Sequence, residues 1–352
     1  MKLLLLPGDG IGPEISDATI AVLKSAMAGT MPLEIETRDI GLKSLAEQGS
    51  TLPDAVLDAV ATAEATILGP VSHYEYPKGQ PNPSAVLRTK FELYANIRPC
   101  LSREGLSVLP KPMDLIIVRE NTEGFYADRS MFMGPGEFMP DADSAFSIRK
   151  ITGHAVRRVA RVAFELARQR RRKVTAVHKA NVLKLTDGLF LREVRAIAAD
   201  FPDVELEEVI VDAAAALLIR DPGRFDVMVT TNMFGDILSD EASELSGSLG
   251  LGGSINAGDD LCVAQAQHGS APDIAGQDIA NPTSLILSTA MMLHWLGRRR
   301  DDATLSRIAC RIERAIDIVL ASPETRTRDA GGTLGTHAFA QAVVRAIETV
   351  PA

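Results

Sequence analysis

The chain has 352 residues, of which 46% are apolar and 24% are charged, and its formal net charge is −9. This length suggests about two domains, and the composition is that of a globular protein with ample apolar material for a core. The negative net charge argues against a generic basic surface for nucleic acid or anionic lipid. A polyanionic substrate is not excluded, because its site needs only a local cluster of arginines.

The N-terminal segment and the cysteines bear on the compartment. Leu3–Leu6 is an apolar run that Pro7 and Gly8 end at once. It is too short for a signal sequence or a membrane span, so we expect a first buried strand. The three cysteines are scattered along the chain: Cys100, Cys262 and Cys310. They form no C-x-x-C pair, which argues against a disulfide framework or a zinc knuckle. We therefore expect a cytoplasmic protein.

Strand-like and helix-like segments alternate along the chain. Apolar runs predict buried strands at Lys2–Leu6, Ala65–Leu68, Leu115–Val118, Val174–Val177 and Val227–Val229. Helical spacing predicts helices at Pro13–Ala28, Ser84–Tyr94, Thr152–Arg171, from about Gly235, at Pro282–Leu296 and at Leu305–Leu320. Thr152 is the expected N-cap of its helix, and Met131–Asp143 is expected to be an exposed loop or arm. The alternation predicts an α/β fold with a sheet that is at least partly parallel.

Three glycines after the first strand imitate a dinucleotide-binding motif. Gly8, Gly10 and Gly12 have the spacing G-x-G-x-G, and Pro13 stands where the third glycine of G-x-G-x-x-G would be. No ribose-binding acid is clearly placed after a second strand. A tight glycine turn beside a ligand cleft is therefore favoured over a Rossmann fold.

Two carboxylates follow the strand at Val227–Val229. Asp236 and Asp240 are four residues apart, so on a helix they share one face. Paired carboxylates just past a strand end suit a hard divalent cation such as Mg²⁺ or Mn²⁺. The same spacing often marks a solvated helix face, so these two residues alone leave both interpretations open.

Arginines and a small-residue segment indicate binding of an anion and of a nucleotide. Arg88, Arg98 and Arg119 could clamp the carboxylates of a dicarboxylic or tricarboxylic acid. In His268–Gly276, small residues would let the backbone approach a ligand, and Asp273 could accept hydrogen bonds from ribose hydroxyls. Unrelated surface arginines and an ordinary loop are the alternatives.

Together these segments resemble the β-decarboxylating dehydrogenases, which act on isopropylmalate, isocitrate, homoisocitrate, tartrate or D-malate. The resemblance runs in order over nearly the whole chain. The matching segments are Pro7–Glu14, Leu93–Pro99, Val118–Gly124 with Tyr126, Lys179–Leu183, Asn232–Ser243, His268–Gly276 and Ala280–Pro282. So many ordered matches favour the metal, arginine and nucleotide interpretations over their alternatives.

The resemblance implies an isopropylmalate-dehydrogenase-like two-domain α/β fold, not a Rossmann fold, with the active site in the interdomain cleft. Residues 1–96 with 258–352 would form the nucleotide-side domain, which carries both termini. Residues 97–257 would form the central domain, with the metal site and the dimer interface. It also implies a homodimer with shared active sites, in which Lys179 and Asp212 come from the neighbouring subunit. From the charge and the short apolar run, no nucleic-acid or membrane partner is expected.

The resemblance further implies oxidative decarboxylation of a 3-substituted D-malate to a 2-keto acid, with NAD and Mg²⁺ or Mn²⁺ as cofactors. Asp212, Asp236 and Asp240 would bind the metal, which lowers the pKa of the substrate hydroxyl. Lys179 would take the hydroxyl proton, and Tyr126 would protonate C3 after CO₂ leaves. The substrate carboxylates would be held by Arg88, Arg98 and Arg119.

The family's nucleotide contacts carry over to seven positions: His268, Gly269, Ser270, Ala271, Asp273, Ile274 and Asn281. Asp273 and Ile274 stand where NADP-using relatives carry lysine and tyrosine. A carboxylate favours free ribose hydroxyls and repels a 2′-phosphate, so NAD is expected.

The substrate's variable group is expected to meet the segment before the first arginine. Isopropylmalate dehydrogenases carry an apolar pocket there, but Pro81, Ser84 and Ala85 stand at the matching positions. Isocitrate dehydrogenases use serine and asparagine, and here Asn82 and Ser84 offer the same types in exchanged order. We therefore expect these two residues to bind a short or polar substituent, because a bulky aliphatic one would desolvate them. Gln265 stands where relatives usually have glutamate.

Three alternatives belong to other functional classes. A hydroxyacid dehydrogenase without decarboxylation and a non-catalytic regulatory subunit of an NAD isocitrate dehydrogenase are both disfavoured, because Tyr126, Lys179 and the three aspartates are retained. A generic metal-binding module would leave the arginines and the nucleotide loop unexplained.

Overall fold

The structure is a computed structural model, and it describes residues 1–126 and 130–350. Over these ranges the strands are β1 (Lys2–Leu6), β2 (Glu34–Thr37), β3 (Ala65–Leu68), β4 (Ala95–Leu101), β5 (Asp114–Glu120), β6 (Glu137–Asp141), β7 (Ser144–Ser147), β8 (Lys173–His178), β9 (Glu205–Ile210), β10 (Val227–Thr230), β11 (Ile255–Ala257) and β12 (Cys262–Gln265). The helices are α1 (Gly12–Met27), α2 (Gly41–Gln48), α3 (Asp54–Thr62), α4 (Pro83–Lys90), α5 (Gly153–Arg168), α6 (Thr186–Ala198), α7 (Val211–Arg220), α8 (Asn232–Ser246), α9 (Thr283–Arg300), α10 (Ala303–Ala321) and α11 (Thr336–Thr349).

A mixed ten-stranded sheet organises the fold, in the order β2-β1-β3-β12-β11-β4-β5-β10-β8-β9. The first four strands of this order are mutually parallel, and so are the last four. Between them, β11 and β4 pair antiparallel with each other and with their outer neighbours. The two parallel blocks consequently run in opposite directions. This confirms an α/β fold with a partly parallel sheet and is not the arrangement of a Rossmann fold.

The predicted apolar strands lie in the interior of the sheet. Along β1, Leu3 and Leu5 join the largest apolar cluster, whereas Leu4 and Leu6 join a second one on the other face. Alternating side chains point to opposite faces of a strand, so an unbroken run of leucines is buried on both sides, as parallel sheets require. All five predicted strands are confirmed.

One predicted helix is shorter in the structure, and the predicted loop or arm contains a strand. The helix expected over Ser84–Tyr94 ends at Lys90, because Glu92 adopts a φ of 46° and Tyr94 leads directly into β4. The segment Met131–Asp143 is exposed over most of its length, as expected of a loop or arm. Its end forms β6, which pairs with β7 in an exposed hairpin.

Local signals at two helix starts can be compared with the structure. Thr152 caps α5 as predicted, since its Oγ1 accepts a hydrogen bond from the backbone N–H of Ala155 at 3.2 Å. The helix predicted from about Gly235 begins earlier, at Asn232, so α8 contains the whole Asn232–Asp240 segment.

No helix in the described ranges is long and apolar enough to span a membrane.

The glycine turn after β1 packs backbone against backbone. Gly10 has a φ of 58°, and a Cβ on it would lie 2.0 Å from the carbonyl oxygen of Ser270. The N–H of Ile11 donates to the same oxygen at 2.8 Å. Glycine is required here because the turn docks directly on the loop that carries the predicted nucleotide contacts.

Candidate active site

A cavity of about 580 Å³ collects most of the predicted site residues. They come from α4 and its N-cap, β4, β5 and the segment after it, α8, and the loop after β12. The predicted residues that line it are Asn82, Ser84, Arg88, Arg98, Arg119, Tyr126, Asp236, His268, Gly269 and Ser270. The predicted substrate-binding residues and part of the predicted nucleotide-binding loop therefore line the same cavity.

Arg98 lies beside the two predicted metal-binding acids of α8, Asp236 and Asp240. Its Nη1 donates to Oδ1 of Asp240 and to Oγ of Ser239, each at 2.8 Å, and its Nη2 is 3.6 Å from Oδ1 of Asp236. Its Nε donates a hydrogen bond to Oδ1 of Asn96 at 2.7 Å, which orients the guanidinium. The two acids therefore share one face of α8, as their spacing predicts.

Arg119 is almost fully buried, with 3% of its side chain exposed. Its Nε and Nη2 donate to Oδ1 of Asn232 at 2.9 and 2.7 Å, and its Nη1 forms an ion pair with Asp236. Burial lowers the pKa of Arg119 to about 10, so the guanidinium is charged at neutral pH. Sequence reasoning gave Asn232 no role, although Asn232, Asp236 and Asp240 recur at four-residue spacing and therefore lie on one helix face.

The carboxylates of α8 fit a hard divalent cation. Burial raises the pKa of Asp240, and the neighbouring Asp236 raises it further, against the opposing effect of Arg98. Two carboxylates that disfavour each other's charge provide the oxygen donors that Mg²⁺ and Mn²⁺ bind. The hydroxyl of Tyr126 lies 3.4 Å from Oδ2 of Asp236, so the predicted acid is next to this pair.

Lys179 and Asp212 do not line this cavity. They form an ion pair with each other, which lowers the pKa of Asp212, and 68% of the Asp212 side chain is exposed. The backbone N–H of Lys179 donates to the buried carboxylate of Asp187, which also pairs with Arg149. Within the described part of the chain, one subunit therefore does not bring Asp212 together with the other two predicted metal ligands, Asp236 and Asp240.

A second polar group centres on Gln265. Its Oε1 accepts hydrogen bonds from Oγ of Ser84 at 3.1 Å, Nη2 of Arg88 at 3.3 Å and Nδ2 of Asn256 at 3.1 Å. The sequence marked Gln265 as a departure from relatives but did not show that it holds Arg88. Oδ1 of Asn82 accepts from the N–H of Ala85 at 3.3 Å, so this predicted substrate contact also caps α4.

The nucleotide-type residues divide into two groups. His268, Gly269 and Ser270 line the cavity; Nε2 of His268 is buried without a hydrogen-bond partner in the described residues, and burial lowers the pKa of this imidazole. The other four lie outside the cavity lining: Ala271, Asp273, Ile274 and Asn281. Asp273 is exposed.

The amide of Asn281 is engaged within the chain. Its Nδ2 donates to Asp329 at 2.9 Å, and its Oδ1 accepts from the N–H of Thr283 at 3.0 Å. An adenine contact from this residue would therefore replace or share a bond to Asp329.

Asp9 is a buried residue that supports the wall of the cavity, and the sequence pattern gave it no role. Its carboxylate accepts hydrogen bonds from the backbone N–H groups of Leu42 at 2.7 Å and Ser72 at 2.9 Å, and from the hydroxyl of Tyr76 at 2.5 Å. Burial, followed by this bond, raises the pKa of Tyr76. Asp9 thereby fixes the loop after β3 that forms one wall of the cavity, and its place between Gly8 and Gly10 was the available signal.

The fold is that of the isocitrate dehydrogenases. A crystal structure of isocitrate dehydrogenase from Methylococcus capsulatus matches 98% of this chain and 99% of its own with a TM-score of 0.88 and 40% sequence identity. The sequence profile described as "Isocitrate/isopropylmalate dehydrogenase" matches residues 2–346. The chain belongs to this family, whose members are dehydrogenases.

Relatives with different named substrates are about equally similar. The chain is 41% identical to a 3-isopropylmalate dehydrogenase of Methanothermobacter thermautotrophicus, over 99% of both chains. It is 42% identical to an isocitrate/homoisocitrate dehydrogenase of Thermus thermophilus, also over 99% of both. Overall identity therefore does not select a substrate.

Proposed function

We propose that the chain is an NAD-dependent and Mg²⁺- or Mn²⁺-dependent dehydrogenase that oxidises and decarboxylates a 3-substituted D-malate to a 2-keto acid, CO₂ and NADH. The observation that carries this proposal is that Arg98 contacts both Asp236 and Asp240, and Arg119 contacts Asp236, where Arg98, Arg119 and Asp236 line one cavity. Arginines bind carboxylates by paired hydrogen bonds, and the aspartates offer hard oxygens beside them. A hydroxy acid and a divalent cation would thus be bound side by side.

The roles of the residues follow from their positions. Asp236 and Asp240, with Asp212 of the partner subunit, would hold the metal, which when bound supplies a Lewis acid for the substrate's C2 hydroxyl. Arg88, Arg98 and Arg119 would orient the carboxylates so that C2 and C3 face a fixed direction. Lys179 of the partner subunit would take the hydroxyl proton.

The C3 end of the substrate would need a proton donor. As the bond from C3 to its carboxylate breaks and CO₂ leaves, Tyr126 would deliver its hydroxyl proton to C3. Its position beside Asp236 supports this role. When bound, NAD would supply the hydride acceptor for C2, and the exposed carboxylate of Asp273 supports NAD over NADP.

A homodimer with shared sites is part of the proposal. Lys179 and Asp212 pair with each other away from the cavity lining, so a second subunit would have to bring such a pair to each site. The proposed domains are 1–96 with 258–352 and 97–257, of which residues 127–129 and 351–352 lie outside the described residues. The opposite directions of the two parallel blocks support this division.

The substrate class is proposed to carry a short or polar substituent at C3. Polar atoms surround Arg88, and they belong to Ser84, Gln265 and Asn256. An aliphatic group packed there would desolvate these atoms without forming hydrogen bonds to them. All three cysteines are free thiols, which supports a reducing compartment such as the cytoplasm.

The test follows NADH absorbance and CO₂ release together, with Mn²⁺ present. The panel is D-malate, D- and meso-tartrate, isocitrate, homoisocitrate and 3-isopropylmalate. One strongly preferred substrate that yields CO₂ and NADH in equal amounts is the expected result. NADH without CO₂ would replace the proposal by simple hydroxyacid oxidation. No turnover on the whole panel by a folded dimer would support a regulatory subunit.

A further inference from the structure

A second cavity, of about 620 Å³, lies on the other face of the sheet, and we call it the rear cavity. Along β4, Arg98 lines the candidate active site while its neighbour Ile97 lines the rear cavity. Along β11, Asn256 binds Gln265 while its neighbour Ala257 lines the rear cavity. Successive strand residues point to opposite faces. The two cavities are therefore back to back across β4 and β11.

The rear cavity lies between α5 and the end of α9. Helix α5 packs on β5, β8 and β10, whereas α9 packs on β12, α1 and α10. These helices belong to opposite halves of the sheet, and β4 and β11 lie between the two halves. A ligand that contacts both helices would bridge the two halves.

The lining of the rear cavity is strongly basic. Two helices contribute six basic side chains: His154, Arg157, Arg158, Arg161, Arg298 and Arg299. Two carboxylates, Glu165 and Asp259, also line it. Five arginines against two carboxylates leave a formal charge of +3 with the histidine neutral, in a chain whose net charge is −9. This local reversal of charge favours an anionic ligand.

Two of the arginines that α5 contributes to the rear cavity pair with exposed acids outside the cavity lining, whereas Arg157 pairs with the buried Glu193. Arg158 pairs with Glu92 at 3.3 Å and Arg161 with Asp200 at 2.8 Å, and these acids are 71% and 55% exposed. Exposed ion pairs contribute little, so a bound anion can replace these acids. Nε of Arg158 is also buried without a hydrogen-bond partner in the described residues.

The α9 side contributes a cation that is poorly compensated. Burial lowers the pKa of Arg298, which means that its surroundings disfavour the charge more than nearby acids stabilise it. Within the described ranges, no carboxylate lies at ion-pair distance from its guanidinium. A bound anion would provide the missing negative charge.

We propose that the rear cavity binds a small polyanion of the linked-phosphate class between Arg158 and Arg161 of α5 and Arg298 of α9, and that binding alters substrate affinity. Guanidinium groups bind phosphate oxygens by paired hydrogen bonds, and several linked phosphates can reach both helices. A ligand that draws α5 and α9 together would displace β4. Because β4 carries Arg98 on its other face, the displacement would change how Arg98 is placed for the substrate. The coupling is therefore reciprocal: substrate binding changes polyanion affinity by the same factor.

The binding test uses isothermal titration calorimetry with inorganic tripolyphosphate on the full-length enzyme. The rear-cavity variant is Arg161→Gln with Arg298→Gln. The control variant is Arg168→Gln with Arg195→Gln, which removes the same charge from arginines paired with Asp203 and Glu208 on the surface. We expect the Kd for tripolyphosphate to be about tenfold higher in the rear-cavity variant than in the wild type, and unchanged in the control variant.

Two binding results would overturn the proposal. Equal affinity in all three proteins would place the anion elsewhere, and equal loss in both variants would mean that only net charge matters. Light scattering adds a third: if the rear-cavity variant alone loses its oligomeric state, this face is a subunit interface and not a ligand site.

The coupling is tested with the preferred substrate. Saturating tripolyphosphate should change KM in the wild type and the control but not in the rear-cavity variant, and an unchanged wild-type KM would overturn the coupling. Calorimetry needs no turnover, so failure of the proposed reaction would remain distinguishable from failure of this inference.

Discussion

Replacing Gly235 by alanine should destabilise the protein, although alanine is normally the better helix residue. Gly235 lies in α8, where a Cβ would be 2.6 Å from both Cβ and Cγ of Arg119 and 3.2 Å from its Cα. Carbon atoms in contact normally lie about 3.5–4.0 Å apart. Either α8 or β5 must therefore shift to accommodate one methyl group.

The magnitude depends on how freely Arg119 can move. Its side chain is 3% exposed, and it is held by Asn232 and Asp236. Alanine for glycine in an open helix gains up to about 1 kcal/mol, whereas overpacking a tight site costs about 1–3 kcal/mol. We expect the strain to exceed the gain, and the free energy of unfolding to fall by about 1–2 kcal/mol.

The assay combines urea unfolding, followed by circular dichroism, with steady-state kinetics. Displacement of Arg119 should also raise KM for the substrate. Gly188→Ala in α6 is the matched control, because in the described part of the chain a Cβ at that position would meet no atom within 4 Å beyond its chain neighbours and the nearby backbone of its own helix. It should stabilise the protein. The reasoning is refuted if Gly235→Ala stabilises as much as the control and leaves KM unchanged.

Three further predictions concern charge. Asp236→Asn should lower kcat by about 100-fold at saturating Mn²⁺ with an unchanged circular dichroism spectrum; undiminished turnover would sink the metal assignment. Burial raises the pKa of Glu123 to about 7 from the ordinary 4.5, so the stability it contributes is present below pH 4.5 and is lost as the pH rises through 7. The urea midpoint of Glu123→Gln should therefore rise relative to wild type over this window, and a constant difference would contradict the burial argument. Asp273→Lys with Ile274→Tyr should erode the preference for NAD, measured as the ratio of kcat/KM for NAD and NADP, whereas an unaltered ratio would mean that this loop is misassigned.

Short-range patterns predicted the elements that owe their form to neighbours in the chain. The leucines of β1 signalled a strand buried on both faces, and Thr152 signalled a helix start, because each signal lies within a few residues. The spacing of Asp236 and Asp240 likewise predicted a shared helix face. The end of α4 was misjudged, because the apolar spacing continues through Tyr94 although that residue leads into β4.

The amino-acid sequence by itself determined the family, the strands of the interior and the arginines and aspartates of the candidate site, since ordered motifs and local periodicity carry this information. Only the tertiary structure decided which of these groups meet. Arg88 and Gln265 are 177 residues apart, and their hydrogen bond exists because β12 passes beside α4. Ile97 and Arg98 are adjacent in the chain, yet they line separate cavities because helices pack on both faces of β4. Such contacts depend on how distant segments pack, and no local pattern records that packing.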